Sequence, residues 1–381
     1  MAVTNFLPEQ YRQTNILDIN HNYLPQQFAD HDQIWEKIKQ VVIRGDFTLG
    51  NEVDLLEAEF SKLSGARHSI GVGSGTDALF LSLKALGVDK GDEVITTPFT
   101  FYATIGAIVT AGATPVFCDV GEDYNIDPSL IERKITSKTK AIMPVHWSGK
   151  PCHMDEIESI ASKNNIHVVS DACHAINASY KGRKAGSLGT ISCFSFHPLK
   201  NLNVWGDGGI ISTNSDELAD KLRLLRNHGL AGRDECKEFA YNSRLDTIQA
   251  VVARHLMLKV NHITQSRVSN AQYFDLRLSS IPQIKIPQRE TEIYQVFHIY
   301  SVICERRDAL QTYLISQGVD AKVHYPRPMH LQPAALYLGH SIGDFPIAEE
   351  ISANTLSLPV HEFITRGQQD RVVSLIEAFY A

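Results

Sequence analysis

No stretch of this chain approaches the roughly 18 uncharged apolar residues that a membrane helix needs. The segment from Met1 to Asn20 is interrupted by Pro8, Glu9, Arg12 and Asp18, so it carries no apolar core of a secretory signal. These absences lead to the expectation of a cytoplasmic protein with no membrane insertion. Cysteines are few and scattered. Cys118, Cys152, Cys173, Cys193, Cys236 and Cys304 form no CxxC pair and no regular spacing, which argues against a zinc site or a disulfide framework and for reduced thiols. There is no excess of positive charge either: 36 Lys and Arg stand against 43 Asp and Glu, a formal net charge of −7. A general attraction to nucleic acid is therefore not expected, and any anionic ligand has to meet a local positive site. A GxGxxG run and a Walker loop are both missing, which removes the usual support for a dinucleotide or ATP site. Internal repeats and low-complexity linkers are absent too.

What is present is the composition of a compact globular chain, 43% apolar and 21% charged. Its 381 residues exceed the roughly 250–300 at which single cores stop growing, so two lobes are expected. From about Ser69 to Asn214 short apolar runs alternate with helix-length segments, the pattern of an α/β layer fold with a mainly parallel sheet. The runs Ser69–Gly73, Glu93–Thr97, Pro115–Asp119, Ala141–Val145, His167–Ser170, Ile191–Phe196 and Gly209–Thr213 read as seven strands. Helices are expected at Asp77–Leu86, Met154–Lys163 and Asp216–Asn227, followed by a polar loop, Gly229–Asn242. Thr247–Val268 reads as one long helix. Beyond it come a strand, Val296–Cys304, and helices at Arg307–Gln317, Phe345–Leu356 and Gln368–Phe379. A boundary near Val251 would divide the chain into a large domain, residues 1–250, and a small C-terminal α+β domain, residues 251–381.

Three segments carry chemistry. Gly73-Ser74-Gly75-Thr76-Asp77-Ala78 sits where a strand ends and a helix begins, so backbone N–H groups, two hydroxyls and a helix N-terminus converge on a place suited to an anion; ordinary helix capping explains the same residues. Asp171 follows the apolar run His167–Ser170, at the carboxyl end of a strand, where open α/β sheets bind ligands; it also reads as a helix N-cap. Lys200 lies in Ser195-Phe196-His197-Pro198-Leu199-Lys200-Asn201-Leu202. Most lysines are surface charges, but an enclosed lysine of lowered pKa forms a Schiff base with an aldehyde. Together and in this order, an anion cradle, a carboxylate and a lysine meet the three needs of pyridoxal phosphate (PLP): donors for its phosphate, an acid partner for its ring nitrogen and an amine for its aldehyde.

With Gly91–Ile95, Pro98–Thr104, Ala111–Asp119, Pro144–Gly149, Asn227–Gly229, Asn242–Gln249 and His324–His330 added, the sequence closely resembles the DegT/DnrJ/EryC1/StrS family of sugar aminotransferases over nearly its whole length. The resemblance implies a large three-layer α/β/α domain with a mostly parallel seven-stranded sheet and a smaller C-terminal domain. It implies that Gly75, Thr76 and Ser195 hold the PLP phosphate, that Phe101 stacks on the ring, that Asp171 pairs with the ring nitrogen, and that His174 sits near the ring hydroxyl. Asn242 would reach the cofactor phosphate of a neighbouring subunit, which implies a homodimer with shared sites. His298, His324 and Tyr325 would face the sugar, with His330 a further candidate. These histidines lack close paired spacing, so no metal is expected.

Lys200 as the catalytic residue favours amine transfer, from glutamate or glutamine to a nucleotide-linked keto-sugar or a keto-sugar acid, for a cell-surface polysaccharide or lipopolysaccharide. Related sugar dehydratases carry histidine at that position, and His197 lies three residues too early to match it. The alternatives are a PLP-dependent 3-dehydratase and a non-catalytic regulator that keeps the fold. Ser170, Trp147 and Asn203-Val204-Trp205 depart from the family pattern. Arg183, Lys184, Arg233 and Arg327 are the basic residues expected near the mouth of a nucleotide-binding site.

Overall fold

The computed structural model describes residues 17–21 and 23–381. Seven strands form one sheet: β1 (His68–Val72), β2 (Glu93–Thr96), β3 (Thr114–Phe117), β4 (Thr139–Met143), β5 (His167–Asp171), β6 (Ile191–Ser195) and β7 (Gly209–Thr213). Their spatial order is β1-β7-β6-β5-β4-β2-β3. β7 alone runs against the others, antiparallel to both of its neighbours, while β3, β2, β4, β5 and β6 pair in parallel. All seven expected strands lie within two residues of their expected ends. Pro115 is tolerated because β3 is the edge strand, where one row of ladder hydrogen bonds is not needed.

Both faces of the sheet are covered, which is why its strands read as continuous apolar runs rather than as alternating ones. Adjacent residues of β7 show the division: Ile211 packs with helices Gly75–Ala85, Tyr102–Thr110 and Asp216–Leu225, whereas Ile210 packs with Asp32–Arg44, Asn51–Ser64 and Thr247–Met257. A buried Arg226–Glu57 pair ties these layers to β1: Arg226 donates to the carbonyl of Gly71 at 2.8 Å and Glu57 accepts from its N–H at 2.8 Å.

A second, three-stranded sheet of Ile284–Lys285, Tyr300–Cys304 and Thr355–Leu358 is antiparallel throughout. Helices Arg307–Ser316 and Arg366–Tyr380 pack on it around Phe274, Tyr300, Leu310, Leu356 and Val372. Ile19 joins this core and bridges to Val319, so the beginning of the described chain returns to the C-terminal lobe.

Three expectations are corrected. Thr247–Val268 is two helices, Thr247–Met257 and Val260–Leu278. Lys259 Nζ and His255 Nε2 both reach Asp30 Oδ2, at 2.5 and 3.0 Å, and pin the chain where it turns. Val296–Cys304 is a strand only from Tyr300, because Val296 and His298 donate to the carbonyls of Gly149 and Ser148 instead. Phe345–Leu356 stops as a helix at Asn354, and Thr355 enters the antiparallel sheet. Helices Asp32–Arg44, Asn51–Ser64 and Tyr102–Thr110 were not expected.

Candidate active site

The cradle forms where β1 gives way to helix Gly75–Ala85. Ser74 caps the helix, its Oγ accepting from Asp77 N–H at 3.0 Å. Ser243 clamps the turn: it accepts from Gly73 N–H at 3.1 Å and donates to Asp77 Oδ2 at 2.8 Å. Gly75 sits against the end of β6. A Cβ there would lie 2.6 Å from Ser195 Cβ and 3.0 Å from its Oγ, so only glycine lets the first helical N–H groups and Ser195 face one small space. Free N–H groups at a helix start favour an anion.

Asp171 closes β5 and is buried. Thr104 Oγ1 donates to its Oδ2 at 2.8 Å and Cys173 N–H to its Oδ1 at 3.2 Å, while Thr100 holds Thr104 at 2.7 Å. Lys200 stands on the loop after β6, preceded by Leu199 in the left-handed region at φ 78°. The Tyr23 hydroxyl donates to the carbonyls of Leu199 and Lys200 at 3.1 and 3.3 Å, and Asn203 Nδ2 donates to the latter at 2.9 Å. Burial lowers the pKa of Lys200, against the opposing pull of Cys173 and Asp171. The neutral, nucleophilic amine is thereby favoured.

The opposite wall is made of rings. His174 and His298 lie 4.4 Å apart. His174 Nδ1 accepts from Ser148 N–H at 3.3 Å, and His324 Nδ1 meets Ser357 Oγ at 2.9 Å. Burial first, and then the charge of Lys200, lowers His174; burial and then His174 and Lys200 lower His298. His324 is lowered to about 3 by burial and by His21 and Lys200. These histidines are neutral hydrogen-bonding groups at neutral pH. Tyr325 is pushed up by burial and keeps its proton; its ring is 5.8 Å from that of Phe101, which is 46% exposed and lines the cavity.

One cavity of about 230 Å³ is lined by Gly75, Thr76, Phe101, Asp171, His174, Ser195, Lys200, His298, His324 and Tyr325. Asn242 is exposed and lies outside it, bridged to Asn227. His330 is buried against Phe345 and bonds Glu349 at 3.0 Å, away from the cavity. The departures from the family pattern have local uses. Ser170 donates to the carbonyl of Leu188 at 3.0 Å; Trp147 is core, edge-on to Phe99 at 4.7 Å; Trp205 packs on Trp35 at 5.1 Å; and Asn203 steadies the lysine loop. Arg183 and Lys184 are engaged with Glu158 and Asn177 at 2.8 and 3.1 Å, and neither they nor Arg233 and Arg327 line the cavity. Among the described residues, Arg267 lines it in addition to Lys200, with Tyr23 and His21 also in the wall. Sequence reading passed over all three, because nothing local distinguishes an arginine within a long helix or a tyrosine and a histidine before the first helix.

The donor set fits PLP: hydroxyls and helix N–H groups for a phosphate, a buried carboxylate for a ring nitrogen, a lysine of lowered pKa for an aldehyde. Among the described residues a separate group, Asp123, His153 and Glu290, has metal-ligand spacing. Lys150 Nζ already lies there, 3.0 and 2.6 Å from the two carboxylates.

Residues 29–377 match the DegT/DnrJ/EryC1/StrS aminotransferase family. The chain is 42% identical over 354 residues to the pleiotropic regulatory protein of Geobacillus stearothermophilus, covering 91% of this chain and 94% of that one. It is 38% identical over 340 residues to the dTDP-3-amino-3,4,6-trideoxy-alpha-D-glucose transaminase of Streptomyces venezuelae, covering 89% and 90%. The crystal structure of S. venezuelae DesV in complex with a ketimine intermediate superposes with a TM-score of 0.93 at 36% identity, over 95% of this chain and 98% of that one.

Proposed function

Because the chain belongs to the DegT/DnrJ/EryC1/StrS aminotransferase family and is a PLP-dependent sugar transaminase, we propose that it moves an amino group from glutamate to a nucleotide-linked keto-sugar. The observation that carries this reading is Lys200 facing the same cavity as Asp171 and the Gly75 cradle. Relatives named for dTDP-linked and UDP-linked sugars support the nucleotide-linked acceptor.

Gly75 and Thr76 N–H groups and the Ser195 hydroxyl would hold the phosphate, Phe101 would cover the ring, and Asp171 would pair with the ring nitrogen. Bound there, PLP supplies an aldehyde and an electron-withdrawing ring. Lys200 would take the proton from the donor's α-carbon and return one when the amine passes to the acceptor. His298, His324 and Tyr325 hold the acceptor through neutral N–H, N and O–H groups. Donor and acceptor use one cavity in turn, so ping-pong kinetics are expected. On this reading residues 1–250 form the cofactor domain and 251–381 the small domain. Exposed Asn242, held beside the cradle by Ser243, reaches the phosphate of a second copy in a homodimer working in the cytoplasm on a surface-glycan precursor.

The test is to supply the holoenzyme with glutamate and a panel of nucleotide-linked keto-sugars. Equimolar 2-oxoglutarate and amino-sugar are expected, and water release without 2-oxoglutarate would overturn amine transfer in favour of dehydration. Borohydride should fix the cofactor to Lys200; a wild-type protein that traps none is a regulator. Lys200→Ala should lose the trapping and at least about a thousandfold in turnover.

A further inference from the structure

Buried polar side chains normally find hydrogen-bond partners. Among the described residues, the cavity-lining side chains that hold buried polar atoms without one contribute only nitrogens: His21 Nδ1, His298 Nδ1, and Arg267 Nε and Nη2. Arg267 is 1% exposed on helix Val260–Leu278. Its Nη1 donates to the carbonyls of Phe297 and His298, both at 3.3 Å; its Nε lies 3.4 Å from Glu362 Oε2; and its plane covers the Tyr23 ring at 4.8 Å. Glu362 is held in turn by Gln27 Nε2 at 3.0 Å. Nη2 is left with no acceptor from the protein. The His21 ring lies 5.8 Å from that of His324, and a neutral imidazole with its proton on Nδ1 donates from that atom.

Arg267 Nη2 can only donate, and His21 and His298 donate beside it in the tautomers that carry the proton on Nδ1, so the set suits a ligand that accepts hydrogen bonds and carries negative charge. A carboxylate has that chemistry. We propose that Arg267 Nη2, His21 Nδ1 and His298 Nδ1 form the pocket for the α-carboxylate of the amino donor, an inference that rests on the transaminase reading of the same cavity. Position favours the donor over a carboxylate on the sugar. An α-carboxylate sits one bond from the carbon whose proton must reach Lys200, and the Arg267 guanidinium is one ring away from that loop, since Tyr23 beneath it donates to the carbonyls of Leu199 and Lys200. The phosphate takes the cradle at Gly75 and Ser195. Glu362 does not shut the pocket, because it faces Nε and is anchored on Gln27. The histidines add no cationic charge of their own: burial lowers His21 to about 3 and His361 to about 4.

The experiment compares wild-type holoenzyme with R267Q/E362Q, which removes the guanidinium without stranding a buried carboxylate, and with H21F, which leaves the ion pair intact. The first half-reaction is followed by the cofactor spectrum, with glutamate and with γ-aminobutyrate, which is glutamate without its α-carboxylate. Calorimetry measures 2-oxoglutarate binding to the same holoenzyme, where no amine transfer follows. The second half-reaction uses enzyme reconstituted with pyridoxamine phosphate plus a keto-sugar. Both variants should raise the half-saturating glutamate concentration by about tenfold or more, and weaken 2-oxoglutarate alike. They should leave γ-aminobutyrate unaffected and the keto-sugar step within about twofold. Unchanged glutamate saturation and 2-oxoglutarate binding in both variants would overturn the pocket, as would a loss confined to the keto-sugar step, which assigns these groups to a sugar carboxylate. A wild-type enzyme converted by no amino acid overturns the transaminase reading and the pocket with it.

Discussion

The two walls of the cavity are built in different ways. The cradle wall is local: Gly75, Asp171, Ser195 and Lys200 stand at or just beyond the carboxyl ends of β1, β5 and β6, so each is announced by the apolar run before it. The ring wall is assembled from afar. His298 follows a segment held by Gly149 and Ser148, His324 reaches Ser357, and Arg267 comes from a helix between the lobes. A strand end delivers a side chain to the same place in any α/β sheet, whereas a wall drawn from three distant segments exists only once the lobes have packed. The first wall therefore suits chemistry shared by a family, and the second suits selection among substrates.

That contrast can be broken most sharply at Asp171. Asp171→Asn removes the charge but keeps one oxygen for Thr104 or Cys173, so steady-state turnover should fall by about a hundredfold or more. Denaturant unfolding should lose only about 1–3 kcal/mol. A fall in turnover no larger than that of a ring-wall variant would erase the distinction. Next comes Gly75→Ala, whose Cβ would meet Ser195 at 2.6 Å. Overpacking should cost about 1–3 kcal/mol and weaken PLP binding about tenfold in a fluorescence titration, without altering selection among sugars. The smallest effect is read by pH at His361, which also lines the cavity. His361, lowered to about 4 by burial and then by the charge of Arg267, is neutral when folded, while the unfolded chain takes up a proton below the ordinary value of 6.5. Stability should therefore fall as pH drops from 6.5 towards 4. His361→Gln should flatten that limb by about 1–3 kcal/mol in pH-dependent urea unfolding; an unchanged slope would place the acid sensitivity elsewhere.

Legibility followed the same line. Strands buried on both faces read as apolar runs closed by Gly, Pro or Asp, and β7 was found to the residue. The break after Met257 left no mark, because the apolar period continues through Leu258 into Val260; Asp30, distant in sequence, makes the turn by holding His255 and Lys259. Asn354 ends its helix because Thr355 pairs with Ile303 across a sheet that does not exist until the lobe closes. Arg267 was invisible for a related reason. An arginine two turns along a mixed helix reads as solvent-facing, and only the approach of Tyr23, Phe297 and Glu362 buries it.

The sequence by itself determined the order of strands and turns, and with it the cradle, the carboxylate and the lysine, because strand ends and helix starts are dictated by residues adjacent in the chain. Tertiary structure alone decided that Lys200 loses solvent and with it part of its basicity, that Asn203 and Tyr23 hold its loop, and that one guanidinium nitrogen and one nitrogen on each of two imidazoles are left without partners in residues lining the cavity. Desolvation and hydrogen-bond satisfaction depend on what surrounds a group, and those surroundings come from residues far away along the chain.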